Sequence, residues 1–365
     1  MHAPSGSPLR IRPFPAAYSP VVRIALALDH MADPRASRDL AIRAEQAGCD
    51  EVWIPETWGF DAPTLMGAIA VSTSAMTIGA VLPVFSRSPA LIAQTVAGAD
   101  ALSAGRAVVG LGTSGPQVVE GWHGVPFRSP LGELQEAITA CRMAWRREVL
   151  KVDGPRPIPL PPGRGTGLGT PLRLIVQPQR DRVPIVVLAL APGAIALAAE
   201  MADGWWPLFA SPAAIEGEWS RALAIGRARR DGALGPLAIT TSCVCWVGEG
   251  TGARAARAAA RRDIAFYVGS MGSVERNYYC DAVSAMGFTD ECAAIRGAAL
   301  DGRRRDAETL VTDAMLDALA IIGPPAHIDR RLRALADAGV TTLVIGAGTP
   351  DPVRVVRDLR RLAAG

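Results

Sequence analysis

Short apolar runs and amphipathic stretches take turns along this chain. Val21 to Leu28 (VVRIALAL) is apolar at every position but one, the pattern of a strand buried on both faces. Ser37 to Gly48 then carries Leu40, Ala41, Ala44 and Ala47 at helical spacing, and Gly48 closes the helix. Cys49 to Pro55 predicts a second strand, with Glu56-Thr57-Trp58-Gly59-Phe60-Asp61 spilling from its end. Pro63 to Ser74 predicts a helix and Met76 to Val84 a third strand, after which Arg87-Ser88-Pro89 opens a helix reaching Leu102. Ala107 to Val109 begins a fourth strand, broken at Gly110 to Pro116 by glycines and a proline. Later strands are expected at Ile185–Leu190, Gly204–Pro207, Ile239–Val247 and Thr342–Gly346.

Strand and helix alternating in units of roughly 30 residues predict an α/β protein with a parallel sheet. Eight such units close a (β/α)8 TIM barrel. A doubly wound sheet would carry a glycine-rich first turn, and Leu28-Asp29-His30-Met31-Ala32 has none. At 365 residues the chain exceeds a barrel of about 250 by roughly 115, which insertions absorb without a second domain. Two such regions stand out. Residues 153–173 are too rich in proline and glycine for a regular element and read as an excursion over the barrel mouth. Residues 253–317 are alanine-rich and helical, an insertion before the last strands. Residues 1–20, with their prolines, read as a flexible arm ahead of a single domain spanning 21–365.

Composition narrows the function classes. The net charge of +3 is too small for a nucleic-acid or membrane surface, and no apolar run approaches the 18 residues of a span. Cys49, Cys141, Cys243, Cys245, Cys280 and Cys292 form no CxxC pair, so reduced buried thiols in a cytoplasmic protein are expected, and no metal site. Cys243 and Cys245 should face the same side of their strand.

The densest chemistry lies at Arg106 to Gly124 (RAVVGLGTSGPQVVEGWHG), directly behind the fourth strand. Hydroxyls, an amide, an acid, an indole and an imidazole follow a strand's carboxyl end, where barrel loops converge on ligands. No Gly-Lys-Ser/Thr follows the glycines, so this is not a Walker A loop.

Several motifs in order resemble the bacterial-luciferase-like flavoenzyme superfamily, and more closely its branch using the deazaflavin coenzyme F420. They are EVWIPETWGFDAPT (51–64), TIGAVLPVFSRSP (77–89), ALSAGRAVVGLGTSGPQVVEGWHGVPF (101–127), the region from Pro171 to Pro207, GSVERNYYCDAVSAMGFTDECAAIRGAALDGRR (272–304) and RLRALADAGVTTLVI near the end. The likeness resembles methylenetetrahydromethanopterin reductases in particular and spans residues 21 to 362. It implies a TIM barrel, a homodimer, and F420 (alternatively FMN) held at the strands' carboxyl ends. It also implies a non-proline cis peptide in a bulge of the third strand, at Ala80-Val81, pressing on the coenzyme ring. Gly112, Thr113, Ser114, Gln117 and Glu120 match the coenzyme-contacting loop. Leu190, Ala191, Pro192, Gly193 and Ala194 match a phosphate-receiving helix start. Many relatives carry lysine where this chain has Gly193, which leaves backbone amides and nearby arginines for that task. Glu56, Thr57 and Trp58 match positions beside ring and substrate; Thr57 would contact coenzyme and Glu56 would bond a ring N–H or position a proton. Trp58 and Trp122 would wall the substrate, and His30 or His123 would supply a proton, an ordinary imidazole titrating near ~6.5.

The implied activity is hydride transfer between the deazaflavin and a small organic substrate. An FMN-dependent monooxygenase using reduced flavin and dioxygen is the alternative within the superfamily. A coenzyme-binding protein without catalysis is the alternative outside enzymes.

Overall fold

A computed structural model describes residues 22–272, 275 and 277–364, so the expected arm at 1–20 lies outside the described residues. In chain order the strands are β1 (Arg23–Ala27), β2 (Glu51–Pro55), β3 (Thr77–Pro83), β4 (Ala107–Gly112), β5 (Ile185–Leu188), β6 (Gly204–Trp206), β7 (Ala238–Cys243), β8 (Cys245–Val247), β9 (Ile321–Gly323) and β10 (Val340–Ile345). Eight of them close a parallel barrel in the order β1-β10-β7-β6-β5-β4-β3-β2, while β8 and β9 pair beside it. This is the (β/α)8 barrel that the apolar alternation predicts.

The helices between strands are α1 (Pro34–Gln46), α2 (Ala62–Ser72), α3 (Pro89–Leu102), α4 (Pro116–Gly121), α5 (Pro130–Trp145), α6 (Pro192–Met201), α7 (Pro212–Glu216) and α8 (Ser220–Arg227). The stretch between β8 and β9 is helical, with α9 (Gly250–Ala265), α10 (Tyr278–Val283), α11 (Thr289–Leu300), α12 (Arg304–Thr309) and α13 (Asp313–Leu319). Last come α14 (Pro325–Asp337) and α15 (Pro352–Ala364). Asp33, Asp61 and Ser88 start α1, α2 and α3, each accepting a bond from a first-turn N–H, with proline in the first turn of each.

Alternate strand residues fill the barrel. Ala25, Trp53, Val108, Val186, Trp206 and Val344 form its buried interior, with Ala27, Val81 and Leu188 packed on them. Two indoles in one narrow barrel need small residues opposite. The Trp53 and Trp206 rings meet edge to face at 5.1 Å. A side chain at Gly79 would come within 2.3 Å of the Trp53 ring, and one at Gly110 within 3.1 Å of Leu188 and Val81. Below them Glu51 accepts from the Trp53 indole N–H at 3.1 Å and pairs with Arg23 at 3.1 Å. Burial pushes the Glu51 carboxyl above its usual range, and the Arg23 charge opposes that rise.

Four expectations are corrected. Gly110 to Gly112 stay in β4, paired with Val81 to Pro83, and Gly110 is small because a side chain there would crowd Leu188 and Val81 of the packed interior. Gln117 and Glu120 lie on the short helix α4 rather than in a loop. The run Ile239–Val247 is two strands: Gly346 N–H takes the Cys243 carbonyl at 2.8 Å and Ile321 N–H takes the Val244 carbonyl at 3.0 Å, so pairing passes from β10 to β9. The Ala80–Val81 peptide is trans and there is no bulge, since β3 pairs with β4 in unbroken register from Ile78 to Pro83. Among the described residues the one cis bond joins Ile158 to Pro159.

Candidate active site

Because the barrel strands are parallel, the segments that follow them share one rim. Leu28–His30, Glu56–Trp58, Val84–Arg87, Thr113–Gln117 and Ala189–Gly193 stand there after β1 to β5. Neighbouring loops are tied by the backbone: Glu56 N–H donates to Val81 O at 3.2 Å and Val84 N–H to Gly112 O at 2.9 Å.

Glu56 is the best-anchored side chain on this rim. Arg87 grips it through both nitrogens, Nη1 to Oε1 at 2.5 Å and Nη2 to Oε2 at 2.8 Å. Oε2 also accepts the Ala62 N–H at 2.8 Å, at the start of α2. The carboxylate is 6% exposed. A charge so enclosed, paired bidentately and bonded to backbone, fixes the β2 and β3 loops against each other. Its geometry is that of a positioning group, not of one reaching for a ring N–H or a proton.

Arg87 and its neighbour Arg156 were not among the expected site residues. Arg156 comes from the 153–173 excursion and donates to the Val84 and Arg87 carbonyls at 2.6 and 2.9 Å. It also pairs with Glu133 at 2.5 Å, while its backbone N–H meets Glu136 at 2.9 Å. Burial raises the Glu136 carboxyl above its usual range, the Arg156 N–H opposing. The excursion is thereby pinned onto the β3 loop and the start of α5. Proline-rich sequence hid this, because one arginine carries the contact.

The loop after β4 presents its polar groups outward. Among the described residues the Thr113 and Gln117 side chains at the rim make no hydrogen bond apart from Thr113 Oγ1 to Ser114 O at 3.4 Å. Ser114 adopts a left-handed backbone, φ 55°. Glu120 instead turns back to accept the Phe127 N–H at 3.0 Å, so its role is local. Trp58 and Trp122 are 57% and 62% exposed, two indoles standing in solvent at the rim, where a ligand would cover them. Nε2 of His123 is buried and, among the described residues, has no partner. Thr57 is half-buried beside Glu56.

The residues Leu190 to Ala194 lead into α6. No side chain caps α6 at Ala191, unlike the capped α1, α2 and α3; the Ala194 N–H donates to the Ala191 carbonyl at 3.0 Å, so among the described residues the Gly193 N–H is the leading amide left for a ligand such as a phosphate. Ala80 is buried among the helices outside the barrel, and only Val81 of that pair faces the interior. Ala80 therefore offers no side-chain contact at the mouth. His30 has its carbonyl beside Gly59 of the loop after β2 and sits on a cavity of about 190 Å³ between α1 and α2 that is also lined by Leu28, Ile54, Phe60 and Leu65.

A free polar loop, an uncapped helix start, exposed indoles and a buried imidazole atom without partner together fit a flat coenzyme with a polar, phosphorylated chain. The family model for luciferase-like monooxygenases matches residues 16–342. The chain belongs to this family. Among luciferase-like relatives, a Mycobacterium tuberculosis protein assigned as a coenzyme F420-dependent oxidoreductase is 36% identical over 88% of this chain and 93% of its own. A 5,10-methylenetetrahydromethanopterin reductase of Methanolobus tindarius is 28% identical over 83% of this chain and 87% of its own. The fold is that of the coenzyme F420-dependent tetrahydromethanopterin reductase of Methanopyrus kandleri, with a TM-score of 0.75 at 21% identity over 93% of this chain and 97% of that one. Among the described residues no helix is long and apolar enough to cross a membrane. Nor does any group of three or more His, Cys, Asp or Glu among them lie where it could hold a metal ion. The six cysteines are free thiols, and the Cys243 and Cys245 sulfurs lie 3.7 Å apart, on one side of the chain as expected.

Proposed function

We propose that this luciferase-like protein is a coenzyme F420-dependent oxidoreductase that passes hydride between the deazaflavin and a small organic molecule. The observation that carries the reading is the near-full-length likeness, at 36% identity, to a relative assigned as a coenzyme F420-dependent oxidoreductase. The rim supports it residue by residue. Gly112, Thr113, Ser114 and Gln117 would hold the ring edge and its hydroxylated chain. The Gly193 N–H at the start of α6 would take the phosphate in place of a lysine, with the Ala194 N–H, now bonded to the Ala191 carbonyl, beside it. Val81 and the residues around it would back the ring from the barrel side. Trp58 and Trp122 would close over the substrate and exclude water. Glu56 would act through Arg87, by fixing the loop that carries Thr57 and Trp58.

The coenzyme supplies the hydride chemistry when bound; the protein's share is to bind, orient and keep the site dry. His123, with its unsatisfied buried nitrogen, is the rim histidine suited to hold a proton or a ring heteroatom. His30, on the cavity between α1 and α2 beside the same β2 loop, is the other rim histidine that could supply the proton.

Purified protein mixed with oxidised F420 and a panel of alcohols, or with reduced F420 and a panel of carbonyl compounds, should change the coenzyme's visible absorbance at a rate proportional to protein. Turnover only with reduced FMN and dioxygen would replace this reading with monooxygenation. Coenzyme binding without turnover of any acceptor would make the chain a binding protein.

A further inference from the structure

The cavity beside His30 lies on the opposite side of β1 and β2 from the barrel interior. Successive strand residues face opposite sides, so Ile54 points away from the interior that Trp53 fills, and Leu28 away from the side of Ala27. Both line the cavity, together with Leu65 and Ala68 of α2. Phe60, from the loop after β2, adds an aromatic wall while 74% exposed, so a molecule seated there would cover apolar surface.

A hydroxyl stands in this apolar lining. Ser37 of α1 is 4% exposed and lines the cavity, and its side chain makes no hydrogen bond among the described residues. Hydroxyls in such enclosed positions are normally paired within the protein, so this one is left for an oxygen brought in from outside. The neighbouring polar groups are engaged. Thr64 Oγ1 donates to Asp61 at 2.8 Å, Asp29 accepts the Met31 N–H at 2.8 Å, and Arg38 pairs with Asp39 at 2.7 Å. Arg35 is exposed and has no ion pair among the described residues. Two arginines, Arg35 and Arg38, stand against two acids, Asp29 and Asp61, around this cavity, so neither sign prevails and a neutral molecule suits it.

Size narrows the class further. An apolar cavity of about 150 Å³ takes up benzene. At about 190 Å³ this one accommodates a single ring with an oxygen substituent.

We propose that the cavity between α1 and α2 binds a small neutral ring molecule bearing one hydroxyl or carbonyl oxygen, its ring against Leu28, Ile54, Phe60 and Leu65 and its oxygen on Ser37. This is a second ligand site, apart from the coenzyme rim and independent of which coenzyme the rim takes.

The test titrates full-length protein into 4-fluorophenol, neutral at pH 7, and follows the probe's fluorine NMR signal. Wild-type protein should shift and broaden it saturably. Ser37→Ala should weaken binding about fivefold, as expected for losing one hydrogen bond. Ala68→Leu, which fills the cavity, should abolish saturation. Trp122→Ala, on the rim, should leave the titration unchanged. 4-Fluorobenzoate, the same ring with a full charge, should bind more weakly than the phenol. Absence of saturation in wild type, or wild-type binding by either cavity variant, would overturn the proposal. So would loss of binding in Trp122→Ala, which would put the probe on the rim, or tighter binding of the benzoate. If Ala68→Leu fails to fold, Ser37→Ala decides alone.

Discussion

Replacing Gly79 with alanine should cost this protein about 3 kcal/mol or more of stability, at the upper end for overpacking a core. The added carbon would lie 2.3 Å from the Trp53 ring, and the ring has nowhere to go. Trp206 packs its edge at 5.1 Å, and the indole N–H is held by Glu51 at 3.1 Å. Urea unfolding should show a much lower midpoint, with Trp53→Leu in the same chain restoring part of it by making room. A Gly79→Ala protein that unfolds at the wild-type midpoint would contradict a barrel filled from β2.

The second large effect is expected from Arg87→Leu. It strands the buried Glu56 carboxylate, and breaking one side of such a pair costs about 3–5 kcal/mol. Glu56→Gln alone should cost less, because the amide still accepts from the Ala62 N–H. The double variant should be less damaging than the sum, since neither partner is then left charged and alone. The same change loosens the segment carrying Thr57 and Trp58, so F420 affinity should fall along with stability. Strict additivity of the two stability changes would show that Glu56 and Arg87 do not act as a unit.

How much of this was legible beforehand follows from which contacts are local. Runs such as VVRIALAL read correctly because a parallel barrel strand is covered on both faces and shows as unbroken apolar sequence. The same property concealed the break at Val244: two successive buried strands carry no period that marks where one sheet ends. Gly110 and Gly112 read as a stop, although both are strand residues, and the smallness of Gly110 answers to Leu188, Val81 and Trp53, residues far along the chain. The rim's existence was readable from position alone, after each strand. Individual roles were not. Glu56 differs from a catalytic acid only through Arg87, 31 residues away. The trans bond at Ala80–Val81 shows the limit of resemblance, which carried over a backbone feature that the β3–β4 register does not contain.

The most direct test of the account is a pair of fluorescence titrations, one with oxidised F420 and one with FMN. Saturable binding of F420 at low micromolar concentration, with FMN much weaker, is the predicted result. Replacing Thr113 and Gln117 together with alanine should weaken it about tenfold or more, by the loss of two or three hydrogen bonds. Tight FMN binding with weak F420 binding would contradict the central claim and make this barrel a flavin enzyme instead.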